Sequence, residues 1–157
     1  MWKTDALDNL LVKVSATTVG VVIVGFDLDP LNGLQGTNII TGYVVKDTAY
    51  IRDNYGTGLQ AYAPDTVLGG TDDVTEKAGT ETGGITEISF TIPLNSGDSR
   101  DCVLEVGQSY LVFLAWGTAD SFDAPYTVYT STEIDTRHHT AAKKLKALRT
   151  LRRAFNW

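Results

Sequence analysis

The chain has 157 residues, 43% of them hydrophobic and 20% charged, and a formal net charge of −6. That length suits one domain, and the composition excludes a chain disordered throughout. The charge is split: residues 1–136 hold all 19 acidic side chains against six basic ones, whereas residues 137–157 hold seven basic and no acidic ones, so the acidic body is a poor surface for nucleic acid.

In chain order, "LLVKVSA" (10–16) alternates apolar and polar residues after Leu10 and reads as a half-buried strand. "VGVVIVGF" (19–26) is almost continuously apolar and β-branched, which suits a strand covered on both faces. The crossing 27–37 follows, with Asp27, Asp29, Pro30, Asn32, Gly33 and Gly36 as turn formers. "NIITGYVV" (38–45) and "AYIRDNY" (49–55) read as strands joined by a connection short enough for a hairpin.

Residues 56–84 are rich in Gly, Thr and Asp with little periodicity, and read as a long connection with room for one short strand. "ITEISFTIPL" (85–94) alternates again and is closed by Pro93, "SYLVFLAWG" (109–117) is a second strongly apolar central strand, and "STEID" (131–135) is a short last one. Seven or so strands separated by turns predict an all-β, two-sheet β-sandwich over residues 1–136. Residues 137–157 differ: helix formers without Gly or Pro place Ala141, Leu145, Leu148, Leu151 and Phe155 on one stripe, and Thr140 is suited to the N-cap. They predict a basic amphipathic C-terminal helix. Docking on the acidic body of its own or another chain is its favoured role, ahead of an anionic membrane surface or a partner's groove.

Few side chains carry chemistry. Cys102 stands alone, so no internal disulfide forms, and it reads as a small packed side chain. His138 and His139 are adjacent and lack a third metal ligand. Two acidic loops offer hard oxygens for a structural calcium: Asp27, Asp29 and Asn32, and Asp72, Asp73 and Glu76. Turn chemistry is the commoner use of such residues. No nucleophile elbow, phosphate loop, dinucleotide fingerprint or zinc-protease helix is present, and the chain reads as a non-enzyme. Tyr110, Phe113, Trp116, Phe122, Tyr126 and Tyr129 gather late in the chain, some for the core and some for a flat ligand or a sugar.

The ordered series "VSATTVGVVIVGFD", "LQGTNIITGYVVKDTAYIRDNYGTG" and "APDTVLGGTDDVTEKAGTETGGITEISFTIPLNSGDSRDCVLEVGQSYLVFLAWGTADSF" resembles the DOMON domain over roughly residues 2–135. The resemblance implies an immunoglobulin-like β-sandwich, usually extracytoplasmic, that binds haem b or a sugar at one sheet; some members are electron-transfer modules such as the cytochrome domain of cellobiose dehydrogenase. It makes the crossing 27–37 a pocket rim. Where haem-binding relatives carry a ligating methionine this chain has Leu34, where they carry a histidine it has Tyr126, and where many carry an arginine it has Ile92. These three, with Trp116 from the aromatic cluster, are the candidate site residues: Leu34, Ile92, Trp116 and Tyr126.

These readings predict a small-ligand-binding domain with haem b as first candidate. Carbohydrate binding, with Trp116, Tyr126 or Tyr129 stacking on a sugar face, is the alternative. The third reading is an assembly protein, a homo-oligomer formed through an open sheet edge near residue 2 and the basic helix. No apolar run reaches the roughly 20 residues that span a bilayer, and no secretory signal precedes Trp2; the expectation is a soluble, extracellular or cell-surface chain.

Overall fold

The computed structural model describes residues 2–4 and 8–136. The chain order is β1 (Trp2–Thr4), β2 (Asn9–Ala16), β3 (Val22–Phe26), β4 (Asn38–Val45), β5 (Thr48–Gly58), β6 (Ala61–Pro64), a 3₁₀ turn (Asp65–Val67), β7 (Thr75–Thr82), β8 (Ile85–Pro93), β9 (Ser109–Trp116) and β10 (Val128–Asp135). They form a four-stranded sheet, β1-β2-β8-β7, facing a six-stranded one, β10-β9-β3-β4-β5-β6. The expected basic helix and the His138–His139 pair lie outside the described residues.

The apolar runs take the central places. All five residues of β3 are buried, as befits a strand between β9 and β4 with both faces covered. The β4–β5 hairpin closes through Lys46 and Asp47, both at positive φ, the two-residue pattern that matches strand twist. Gly83 and Gly84 do the same between β7 and β8.

The stretch 56–84 holds more than the single short strand expected there: β6, the 3₁₀ turn and β7. β6 and β7 are edge strands. β7 is exposed or half-exposed throughout and built from Thr, Glu, Lys, Ala and Gly, so it has no buried face to impose an apolar period.

The main core lies between the sheets. Leu10 and Val12 of β2 and Ile88, Phe90 and Ile92 of β8 meet Val22, Val24 and Phe26 of β3, Ile40 and Val44 of β4, and Val112 of β9. A second apolar cluster covers the other face of the six-stranded sheet: Val21, Ile23, Ile39, Phe113 and Ala115, joined by Leu34 and Ala124 from connections. Among the described residues no second sheet covers this outer face. The crossing 27–37 and the loop 117–127 lie against it.

Candidate functional site

Period-two alternation decides which side chains reach the outer face. On β9, Phe113 and Ala115 point outward, while Val112, Leu114 and Trp116 point to the inter-sheet core. On β5, Arg52 and Asn54 lie outward opposite Thr41 and Ile39, while Ile51 and Asp53 lie inward.

Two connections complete the surface. The crossing 27–37 is a chain of tight turns: Asp29 Oδ1 accepts the Leu31 N–H at 2.9 Å, its Oδ2 accepts Asn32 Nδ2 at 2.6 Å, and the Asp29 carbonyl accepts the Asn32 N–H. The crossing is laced to the β5–β6 hairpin. Leu34 N–H donates to the Leu59 carbonyl at 3.1 Å, and Gly36 N–H donates to that of Gly56 at 2.9 Å. The packing is tight enough that a Cβ on Gly56 would collide with the Leu34 carbonyl. This accounts for the density of turn formers: the chain makes a close double-back pinned at both ends.

The loop 117–127 is fastened as firmly. Gly117 N–H donates to the Val21 carbonyl at 2.9 Å, and Tyr62 Oη donates to the Phe122 carbonyl at 2.8 Å. Arg52 Nη2 pairs with Asp123 at 2.9 Å, and its guanidinium lies 4.5 Å over the Phe122 ring. Behind it, Tyr43 stacks on Tyr50 and tilts against Phe122.

Between the hairpin and this loop lies an open cleft of about 300 Å³, lined by Gln60, Ala61, Tyr62, Asp123, Ala124, Pro125 and Tyr126. Its size sits at the lower end of the roughly 300–1,000 Å³ of small-molecule sites. Tyr126 packs edge-on against Phe113 and Tyr129, and Tyr129, a residue 65% exposed, stacks on Phe113. Burial holds the Tyr126 phenol above its ordinary pKa, and the neighbouring Tyr129 adds to this. Tyr62 is raised too, first by burial, against an opposing pull from Arg52.

Leu34 and Tyr126, 92 positions apart, share this outer cluster. Tyr126 lines the cleft; Leu34, 2% exposed, lies beneath it and not on its wall. The crossing expected as a rim therefore buttresses the β5–β6 turn that forms one wall. Ile92 and Trp116 do not join them. Both pack into the inter-sheet core, Ile92 on the other sheet and Trp116 on the inward side of β9. Cys102 also packs against that core, where burial, aided by Asp27 and Asp101, pushes its thiol up to about 12. Sequence reasoning missed Gln60, Tyr62, Asp123 and Pro125, since nothing in the chain marks residues 60–62 and 123–126 as neighbours.

The loops read as calcium candidates spend their oxygens otherwise. Asp29 serves the turn just described, Asp72 pairs with Lys77 at 2.6 Å, and Glu76 accepts the Thr91 hydroxyl at 2.8 Å.

Two facing sheets with a loop-built cleft on one outer face define a β-sandwich domain. The chain belongs to the DOMON family: the DOMON domain model matches residues 1–117. Two solved structures share the fold. The cytochrome b domain of pyranose dehydrogenase from Coprinopsis cinerea aligns with a TM-score of 0.62 at 12% identity, over 87% of this chain and 76% of that one. The cytochrome domain of Myriococcum thermophilum cellobiose dehydrogenase gives 0.52 at 11%, over 85% and 70%. No curated protein matches the chain at a significant level.

Proposed function

We propose that the chain is a non-catalytic binding domain for a small ring-shaped ligand, seated in the cleft on the outer face of the six-stranded sheet, with haem b as the first candidate. The observation that carries this reading is the convergence of Leu34 and Tyr126 on one apolar cluster beside that cleft. Family membership and the cytochrome neighbours support it. The role belongs outside the cytoplasm, as the motif series implies.

The described residues suit a flat, largely apolar ligand but do not suit an iron held on both sides. Leu34 has no lone pair to offer, and the raised Tyr126 phenol resists the ionisation that tyrosinate ligation requires. The binding role is therefore proposed without an electron-transfer step. Absorbance on adding haemin to the purified full chain tests it. A Soret band that saturates at one haem per chain, and weakens at least tenfold in Tyr126→Ala, is expected. No band at excess haemin, with the protein folded by circular dichroism, rejects haem.

A second reading is carbohydrate binding. It is favoured by the cleft's openness, its polar Gln60 and Asp123, and the exposed Tyr129 ring at its side. Glycan-array binding abolished by Tyr126→Ala would select it over haem.

A further inference from the structure

The inward face of the six-stranded sheet is apolar along its central strands, and at one end three carboxylates meet. Asp53 follows Ile51 on the inward side of β5, Asp65 opens the 3₁₀ turn after β6, and Asp101 lies in the connection between β8 and β9. One oxygen from each lies within 4.8 Å of the others. Asp65 is 0% exposed and Asp53 2%.

Their hydrogen bonding is thin for groups so deeply placed. Asp53 Oδ2 accepts the Asp73 N–H at 3.2 Å, but Asp53 Oδ1 and both oxygens of Asp65 have no hydrogen-bond partner among the described residues. Asn38, buried on the neighbouring strand β4, donates its amide N–H to Asp101 Oδ1 at 2.7 Å, and its own Oδ1 is unpartnered. Adjacent Asn54 shows the ordinary outcome: its Nδ2 finds the Ile39 carbonyl, the Thr41 hydroxyl and the Arg52 carbonyl. No ion pair among the described residues reaches the three aspartates. Arg100 pulls Asp65 down without forming an ion pair with it: its guanidinium lies over the Tyr55 ring and donates to the Leu68 carbonyl.

Bare carboxylates in a core are costly unless a cation or donors meet them. Burial, and then repulsion from neighbouring carboxylates, raises Asp53 to about 8 and Asp65 to about 7; burial likewise raises Asp101 to about 6. Three carboxylates drawn to within 4.8 Å, with unpartnered buried oxygens on Asp53 and Asp65 and on the adjoining Asn38, ask for a positive charge.

We propose that Asp53, Asp65 and Asp101, with the amide oxygen of Asn38, bind one calcium ion that fastens the 65–73 segment and the 95–102 loop to the end of the six-stranded sheet. All four donors are hard oxygens, the ligand type calcium takes. Oxygens within 4.8 Å of one another can share one calcium at about 2.3–2.6 Å, and calcium accepts an irregular oxygen set where magnesium demands a near-ideal octahedron. The site lies on the opposite face of the sheet from the cleft and does not depend on what the cleft binds.

The test uses the full chain, freed of metal with a chelator and dialysed. Calcium titration by calorimetry should give one site per chain, and calcium should raise the thermal midpoint by several degrees. Asp65→Asn should weaken that binding at least tenfold, Asp101→Asn should do likewise, and Asp29→Asn on the exposed crossing should leave it unchanged. Absence of heat and of any midpoint shift in millimolar calcium overturns the proposal, and so does an Asp65→Asn chain that binds as tightly as the parent. Magnesium binding as tight as calcium overturns the choice of ion. Should Asp65→Asn fail to fold, the parent titration and Asp101→Asn decide.

Discussion

The two faces of the six-stranded sheet share the same strands and have opposite surroundings. The inward face meets a second sheet, so its side chains are chosen by fit: Val24, Ile40 and Val112 are closed off by Leu10, Ile88 and Phe90. The outward face meets loops, and its apolar residues, Ile23, Ile39 and Phe113, end under a cleft with half-exposed tyrosines at its border. A sheet backed by another sheet yields stability; one backed by loops leaves room for a ligand. Polar groups show the same divide. Outward Arg52 and Asn54 are well partnered, whereas inward Asp53 and Asp65 keep bare oxygens.

That contrast is breakable, and the largest effect belongs to the inward face. Ile40→Ala, at a fully buried position, should cost about 2–5 kcal/mol in urea unfolding, from lost burial and the cavity left behind. An equal cost for Tyr129→Ala, two-thirds exposed on the outward side, would erase the distinction. Next comes the seam that holds the loop layer in place. Gly56→Ala drives a methyl into the Leu34 carbonyl and should cost about 1–3 kcal/mol, as overpacking does. It should also weaken ligand binding, because Leu34 and Leu59 are joined there by a backbone hydrogen bond. A stable Gly56→Ala chain with unaltered binding would show that the crossing does not support the cleft wall. The smallest effect belongs to the rim. Asp123 is 81% exposed, and Asp123→Ala should cost under about 1 kcal/mol by thermal melting, since exposed ion pairs are screened and Arg52 keeps Asn54 and the Phe122 ring. A larger loss would make the rim part of the folded framework.

Much of the central architecture was legible in the chain. The expected strand 38–45 coincides with β4, and those at 10–16, 85–94 and 109–117 fall within a residue or two of β2, β8 and β9. Buried strands must be apolar, and that requirement is written locally. β6 and β7 escaped because edge strands face water and need no pattern. Of the four candidate site residues, Leu34 and Tyr126 came to one cluster, while Ile92 and Trp116 went to the other side of the sheet or the other layer. Motif order fixes the strand a residue occupies; its face depends on a register that one slipped residue inverts.

By itself the sequence determined that this protein buries apolar ribbons in two β-layers, because hydrophobic periodicity is a property of neighbours along the chain. Only the tertiary structure decided which loops meet over the outward face, and that Asp53, Asp65 and Asp101 share one buried corner. Those relations join residues tens of positions apart, and long-range proximity is set by strand pairing and packing, which leave no local mark on the residues they unite.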